Sequence, residues 1–228
     1  MKLIQARRGY RFSLDAVLLA HFPDLSGVSH GVDLGTGSGI IPLLLAFRSP
    51  FIRITGIEIQ ESLAERAHRN VALNGLQDRI TIIKGDIKEI HQFLSAESCD
   101  LVISNPPFYK INEGHISENE EQSIARHELQ IKLAELIEKA GYLLQKGGRL
   151  ALIHRVERMM EIFELIKKPL FVPKKIRMIH SRIDEPARLF LLEVQKQGRG
   201  QLSVLPPLII YNQNNEYSPE LQAYYKNS

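Results

Sequence analysis

The stretch VDLGTGSGIIPLLLA, residues 32–46, is the most informative part of this 228-residue chain for its architecture. An apolar run with an acidic residue near its end, Asp33, leads into three alternating glycines, Gly35, Gly37 and Gly39, and then into a second apolar run. Glycines there let a strand turn tightly into a helix and let the backbone approach a ligand without a Cβ in the way. The stretch is typical of a strand, a turn and a helix that together bind a nucleotide-like cofactor.

Around this stretch, short β-branched or apolar runs alternate with longer segments of helical periodicity, which predicts an α/β fold built on a parallel sheet. The predicted strands lie near residues 31–34, 52–58, 79–84, 100–104, 149–154, 175–181 and 188–195. Only the stretch SRIDEPAR separates the last two, and it is too short for the crossover that parallel neighbours need. The sequence therefore predicts a Rossmann-like, seven-stranded sheet with a terminal antiparallel hairpin, an ending that resembles the class I methyltransferase fold.

The predicted helices and chain ends complete this architecture. Apolar residues recur at helical spacing within residues 61–75 and again within residues 129–144, and the second helix is predicted to stop at the glycine pair 147–148. We expect a single methyltransferase domain. Residues 1–29 are expected to form an N-terminal helical extension, and residues 198–228 an irregular tail.

The composition is that of an ordinary folded protein. Hydrophobic residues make up 44% and charged residues 24% of the chain. No apolar leader is present, and no apolar run approaches the ~18 residues that a membrane span needs, so we expect a cytoplasmic protein with no membrane partner. The single cysteine, Cys99, is expected to be a buried structural thiol. No Cys or His pair has zinc-ligand spacing, so we expect no metal.

Two acidic residues further along narrow the choice of cofactor. Glu58 ends the second predicted strand about 20 residues after the glycines, where a carboxylate accepts hydrogen bonds from the hydroxyls of an adenosine ribose. Asp86 follows the third strand, where the adenine would lie, and it equally suits the N-cap of a helix. The spacing G-x-G-x-G differs from the G-x-G-x-x-G that seats a pyrophosphate, and Asp33 would face the amino end of a methionine. The sequence therefore favours S-adenosylmethionine over a dinucleotide.

The most specific motif is SNPPFY, residues 104–109, which follows the fourth predicted strand. Ligands of open α/β sheets bind at this end of the strands. Two prolines fix the backbone, so that the side chain of Asn105 and the carbonyl of Pro106 can present hydrogen-bond acceptors. Such a pair suits an exocyclic amine, which is a poor nucleophile, and Phe108 can stack on a flat base. The motif predicts methyl transfer to an amino nitrogen.

Together these motifs resemble those of amino-nitrogen methyltransferases. GYRFSLDAVLLA (residues 9–20), ARHE (125–128) and LLQKGGRLALI (143–153) resemble more narrowly the bacterial enzymes that N6-methylate an adenine beside the anticodon of a valine tRNA, and the similarity covers roughly residues 9–195. The roles that this resemblance implies are the target-amine grip for Asn105, Pro106, Pro107 and Phe108, and cofactor binding for Asp33, Glu58 and Asp86. It also implies that residues 9–15, with Arg11 and Asp15, close over the cofactor.

Other substrates fit the same motif. An rRNA guanine-N2 methyltransferase and a protein glutamine-N5 methyltransferase both remain open, although the latter class typically carries an added N-terminal helical domain. A non-enzymatic nucleotide-binding or RNA-binding module is a third class, and the intact SNPPFY argues against it because a binder needs no amine-directed acceptors. Arg126 and His127 either lie near the substrate or belong to the entry of the following helix.

The charge distribution permits a nucleic-acid partner, with tRNA as the leading one. The formal net charge is +3. Basic residues gather within residues 2–11 and within residues 167–182. These two groups are either parts of one RNA-facing surface or ordinary solvated surface.

Overall fold

The structure is a computed structural model that describes residues 1–5, 14–106, 132–168 and 170–226. Its strands are β1 (His30–Leu34), β2 (Arg53–Glu58), β3 (Ile80–Lys84), β4 (Cys99–Ser104), β5 (Leu144–Arg155), β6 (Phe171–His180), β7 (Leu189–Lys196), β8 (Ser203–Val204) and β9 (Leu208–Ile209). Its α-helices are α1 (Leu14–His21), α2 (Ile40–Arg48), α3 (Glu61–Leu73), α4 (Leu133–Leu143), α5 (Met159–Leu165) and α6 (Pro219–Lys226), and shorter 3₁₀ helices span Ile87–Gln92 and Val156–Arg158.

The strands of the described residues form one sheet in the order β3-β2-β1-β4-β5-β7-β6. The first five are mutually parallel, and β7 runs antiparallel between β5 and β6. This confirms the predicted α/β sheet with its terminal antiparallel hairpin. The short strands β8 and β9 both pair with β6 and were not predicted. The strand order reverses at β1, between β2 and β4, and such a reversal is where open α/β sheets bind ligands.

Both faces of the sheet are covered by apolar side chains. On β5, Leu150 and Leu152 belong to one buried cluster, whereas Ala151 and Ile153 belong to the other, as the alternation of a strand requires. The cluster that holds Ala151 also includes side chains of α1, α2, α3 and α6, and the opposite cluster includes α4 and α5. A strand buried on both faces is a nearly continuous apolar run, which explains why the central strands were predicted well.

The helix predicted at residues 129–144 ends earlier than expected. α4 stops at Leu143, because Leu144 already pairs with Cys99 of β4 as the first residue of β5. The glycine pair 147–148 therefore lies inside a strand, at an irregularity where Gly147 has a φ of 81°. The predicted start, residues 129–131, lies outside the described residues.

The chain after Gly198 is not the irregular tail that the sequence predicted. Besides β8 and β9 it forms α6, whose Leu221 is fully buried in the core. The guanidinium of Arg177 on β6 donates to both carboxylate oxygens of Glu220, at 2.6 and 2.8 Å. The ring of Tyr224 stacks on His21 of α1 with centroids 4.3 Å apart. These contacts join residues far apart in sequence, so local periodicity did not reveal them.

Cys99 is buried, as the sequence predicts. Its Sγ donates to the carbonyl of Leu143 at 3.4 Å, and burial raises the pKa of the thiol to about 12. In the described part of the chain, no helix is both long and apolar enough to cross a membrane.

Candidate cofactor and substrate site

The predicted site residues meet at the carboxyl ends of β1 to β4. Leu34 of β1 lies opposite Ile57 of β2, so Gly35 and Glu58 follow at the same level of the sheet. On the other side of β1, Asp33 lies opposite Ile103 of β4. Asn105, two residues further on, therefore reaches the same edge. The parallel register alone thus brings the glycine turn, the acidic strand end and the SNPPFY motif together.

The turn after β1 requires its glycines. Gly35, Gly37 and Gly39 have φ values of 81°, 57° and 82°, a region that residues with a Cβ rarely adopt. A Cβ on Gly39 would approach that of Ala67 on α3 to 3.2 Å, whereas a Cβ on Gly35 would meet no described atom within 4 Å. The third glycine therefore serves close packing on α3, and the first borders open space that a ligand can enter.

Glu58 is 2% exposed and links two backbone turns. Its Oε2 accepts a hydrogen bond from the amide of Gly37 at 2.8 Å, and its Oε1 accepts one from the amide of Gln60 at 2.9 Å. Each carboxylate oxygen can accept more than one hydrogen bond, so ribose hydroxyls fit beside these amides. Glu58 thus holds the glycine turn in place, a role that the sequence analysis did not foresee.

Asp33 is fully buried beneath the same turn. Neither of its carboxylate oxygens makes a well-formed hydrogen bond among the described residues, and its polar neighbour is the hydroxyl of Thr36. Burial raises the pKa of Asp33 to about 7; the Thr36 hydroxyl opposes this shift and the charge of Glu58 adds to it. A buried carboxyl of this kind is stabilised in its charged form by a nearby cation, so its surroundings fit the ammonium group of a methionine moiety.

Asp86 caps the 3₁₀ helix that follows β3. Its Oδ1 accepts a hydrogen bond from the amide of Lys88 at 2.9 Å, which confirms the predicted capping role. The preceding Gly85 donates its amide to the carbonyl of Glu58 at 2.9 Å. A Cβ on Gly85 would lie 2.6 Å from the ring of Phe93, so this approach needs glycine. Asp86 therefore lies beside Glu58, and its contact with an adenine stays a prediction.

The SNPPFY motif begins from an anchored strand end. The buried hydroxyl of Ser104 donates to the carbonyl of Leu34 at 2.7 Å and thereby ties the end of β4 to that of β1. Asn105 is partly exposed and Pro106 is buried. An acceptor pair on these residues can hold an amine next to the glycine turn.

The remaining predicted site residues lie either in α1 or outside the described residues. Asp15 lies in the first turn of α1 and is partly buried. Pro107, Phe108, Arg11, Arg126 and His127 lie outside the described residues, and their roles stay predictions. Among the residues that are described, no group of three or more His, Cys, Asp or Glu side chains could hold a metal ion.

The basic group at residues 167–182 is not one free cationic surface. Five of its side chains have a carboxylate partner: Lys167 with Glu164 (2.8 Å), Lys168 with Glu138 (3.4 Å), Lys175 with Glu193 (3.5 Å), Arg177 with Glu220 (2.6 Å) and Arg182 with Glu185 (3.6 Å). The sixth, Lys174, donates to the carbonyl of Arg199 at 2.6 Å. Two of the six cations precede β6, three lie on it and Arg182 follows it by two residues, so they do not form one group.

We expect Glu58→Ala to weaken the binding of S-adenosylmethionine by about 1.5–3 kcal/mol, the range for charge-assisted hydrogen bonds. The variant loses both the ribose acceptor and the contact that holds Gly37. Calorimetric titration measures the effect. The control is Glu61→Ala, which removes an exposed carboxylate three residues away that pairs with Lys84 on the surface, and it should change the affinity by less than about twofold. Equal affinities for the two folded variants would show that Glu58 does not contribute to cofactor binding.

We also expect the affinity for S-adenosylhomocysteine to rise with pH and to level off above about 7. The pKa of Asp33 is about 7, so the carboxyl is protonated at lower pH and attracts an ammonium group less strongly. Below that pKa the affinity should fall by up to about tenfold per pH unit. Titrations across this range in wild type and Asp33→Asn test the idea, since the variant should show a flatter profile. A pH profile that Asp33→Asn does not flatten would contradict it.

Comparison with known proteins shows the family to which the chain belongs. The family model for the methyltransferase small domain matches residues 14–171. A tRNA1(Val) (adenine(37)-N6)-methyltransferase from Porphyromonas gingivalis is 34% identical over 92% of this chain and 85% of its own length. The enzyme of the same name from Tolumonas auensis is 28% identical over 96% of this chain and 90% of its own length.

A solved structure supports the fold independently. The crystal structure of a predicted O-methyltransferase from Agrobacterium tumefaciens superposes with a TM-score of 0.74 and 24% identity, covering 94% of this chain and 96% of that one. This chain therefore belongs to the methyltransferase small domain family and, with its curated relatives, to the S-adenosylmethionine-dependent methyltransferases.

Proposed function

We propose that this chain transfers a methyl group from S-adenosylmethionine to the exocyclic N6 of an adenine in tRNA, and that the target is adenine 37 of tRNA1(Val). The observation that carries the proposal is the position of Asn105 and Pro106 at the end of β4, at the level of Gly35 and beside the strand that holds the glycine turn. The names of the relatives support the choice of nucleotide.

The chain's own residues orient the amine. When bound, S-adenosylmethionine would supply an electrophilic methyl group by cleavage of its S–CH3 bond and would leave as S-adenosylhomocysteine, and the methylated nitrogen would then lose one proton to water. The amino nitrogen of adenine is a poor nucleophile because its lone pair is delocalised into the ring. In the proposed mechanism Asn105 Oδ1 accepts one amine hydrogen and the carbonyl oxygen of Pro106 accepts the other. Both contacts favour a pyramidal nitrogen and stabilise the positive charge that it gains as the new bond forms.

The other amines remain chemically compatible. Guanine N2 and the amide nitrogen of a glutamine side chain also present two hydrogens to a pair of acceptors. Neither alternative is favoured by the curated relatives, whose names specify adenine N6 in tRNA. A binding module without catalysis would not need acceptors next to a methyl donor.

The RNA would reach the site over the same edge of the sheet. Arg155 ends β5, Arg188 immediately precedes β7, and Arg182 follows the end of β6 by two residues. Since β5 and β6 are parallel and β7 runs the other way, all three arginines lie at the edge that carries Asn105. Lys174 and Lys175 lie in the first half of β6, before the level of Asn105, because Lys175 is level with Ile103 through Glu193 and Ala151. We therefore propose the three strand-end arginines as the RNA-facing cations, where Arg182 would exchange its partly exposed partner Glu185, at 3.6 Å, for a phosphate.

The decisive experiment incubates the protein with labelled S-adenosylmethionine and total RNA from a strain that lacks the gene. Nucleoside analysis should find the label in N6-methyladenosine of tRNA1(Val). Asn105→Ala should leave cofactor binding and folding nearly intact but lower the single-turnover rate by about 10²–10³, the scale for one lost transition-state hydrogen bond.

One outcome would contradict the proposed substrate, and another would contradict the proposed mechanism. Label in N2-methylguanosine or in protein would change the substrate but keep the chemistry. A wild-type rate for Asn105→Ala would show that Asn105 does not hold the target amine in the transition state. Asn105→Asp keeps an acceptor oxygen at the same position, so at saturating RNA and cofactor its single-turnover rate should fall less than that of Asn105→Ala.

Replacing Arg182 and Arg188 together by alanine should weaken tRNA binding and flatten its dependence on salt, because each lost phosphate contact lowers the slope by about 0.9. The matched control replaces Lys174 and Lys175, two cations in the first half of β6 and away from the loop that joins β6 to β7. Binding measured over a series of salt concentrations compares the two pairs, and cofactor affinity should be unchanged in both. Equal slopes for wild type and the arginine variant would exclude this surface.

A further inference from the structure

Two asparagines on α3 hold the start of the chain. Asn70 accepts the amide of Ile4 at 2.6 Å and donates to its carbonyl at 3.2 Å. Asn74 accepts the amide of Lys2 at 2.8 Å and donates to its carbonyl at 2.7 Å. Four residues of a helix rise by about 6 Å, and two residues of an extended chain span about 6.6 Å, so the two repeats match. Residues 2–4 therefore lie along α3 in a fixed register.

Asn70 makes one contact that sets it apart from Asn74. It is fully buried, and its Nδ2 also donates to the carbonyl of Ser38 at 2.9 Å. The remaining donor contact of Asn74 goes to the carbonyl of Asn70, within α3 itself. Among the described residues, only Asn70 thus joins residues 2–4, α3 and the turn after β1 by side-chain hydrogen bonds.

Ser38 lies in the middle of the glycine turn. The amide of Gly37 on one side is held by Glu58, and the amide of Gly39 on the other side donates to the carbonyl of Thr36 at 3.0 Å. Glycines have the largest conformational freedom to lose, so a turn with three of them depends on outside contacts for its shape. The side-chain amide of Asn70 fixes the carbonyl of Ser38 against α3.

We propose that Asn70 is a positioning residue of the cofactor site, which holds the glycine turn in its binding shape and couples it to the docking of residues 2–4. The inference rests on the proposed cofactor site. Ile4 and Ser38 both bond to the side-chain amide of Asn70. Docking of Ile4 therefore fixes this side chain, and the side chain in turn fixes the glycine turn. Linkage makes this coupling reciprocal, so a bound cofactor must in turn favour docking of residues 2–4. The side chain needs both a donor pair and an acceptor, which an aspartate or a leucine cannot provide.

The first test compares Asn70→Ala with Asn74→Ala by calorimetric titration with S-adenosylhomocysteine. Both variants lose hydrogen bonds to residues 2–4, but only Asn70→Ala also loses the hydrogen bond to the carbonyl of Ser38 in the glycine turn. Asn70→Ala should weaken binding by about two- to tenfold, the effect of a lost buried hydrogen bond, and Asn74→Ala should bind as wild type does. Equal affinities for the two variants would overturn the proposal, whereas a wild-type protein that does not bind S-adenosylhomocysteine would overturn the cofactor site itself.

The second test leaves Asn70 in place, in case its removal disturbs folding. Ile4→Pro removes the amide that Asn70 accepts, and Lys2→Pro removes the amide that Asn74 accepts. Ile4→Pro should weaken binding of S-adenosylhomocysteine, and Lys2→Pro should not. Combining Ile4→Pro with Asn70→Ala should cause no further loss. Additive losses would show that residues 2–4 and the turn are not coupled through Asn70.

Hydrogen exchange at the amide of Ile4 distinguishes coupling from a purely structural role of Asn70, because a structural role alone would not make this exchange depend on the ligand. In the wild type, S-adenosylhomocysteine should slow exchange at the amide of Ile4, as the reciprocal coupling requires. In Asn70→Ala the ligand should leave this exchange unchanged even at saturation, whereas in Asn74→Ala it should still slow it. Ligand-dependent protection in Asn70→Ala would contradict the coupling.

Discussion

The carboxylate of Glu58 joins the turn after β1 to the turn after β2, and most of the site is arranged around this one group. It accepts the amides of Gly37 and Gln60, and its own backbone carbonyl accepts the amide of Gly85. Three strand ends are therefore fixed relative to one another by a single residue. A ligand that bridges these strand ends meets a surface that is already formed, so little conformational entropy is lost on binding.

The packing beneath the turn is the second constraint. Gly39 must lack a side chain because Ala67 lies against it, and Asn70 follows Ala67 one turn later on the same face of α3. α3 therefore contacts the glycine turn through both an apolar and a polar group. The polar group, the side chain of Asn70, sets the orientation of the peptide carbonyl at Ser38. Apolar packing alone would leave this orientation undefined.

The sequence predicted the central sheet and the approximate site because both depend on local signals. Buried strands are apolar runs, the glycines mark a turn that needs positive φ, and parallel strands place their carboxyl ends at one edge. Other features depend on contacts that no local pattern reports. Arg177 meets Glu220 only after the tail folds back on β6, and the pairing of Leu144 with Cys99 cuts the preceding helix short. Asn70 was not predicted as a site residue. The sequence did hold a signal for it, because a polar residue lies next to the apolar stripe of α3 at this position.

The acidic side chains at this edge of the sheet suit the cofactor. Asp33, Glu58 and Asp86 lie at the ends of β1, β2 and β3, where a sulfonium and an ammonium group would be attracted and phosphates repelled. The part of the edge at β5, β6 and β7 has mixed charge, because Arg155, Arg182 and Arg188 lie there with Asp184 and Glu185 of the β6–β7 loop, and Arg182 pairs with Glu185 at 3.6 Å. In the proposed function these arginines would attract the RNA.

β4 lies between these two halves and ends in Ser104 followed by Asn105, both of which are uncharged. At that boundary a carboxylate would bind the cationic donor too tightly and repel the RNA, and a cation would repel the amine as it gains positive charge. In the proposed mechanism neutral acceptors would avoid both effects while still stabilising the transition state, which gives a physical reason for an amide and a carbonyl at this position.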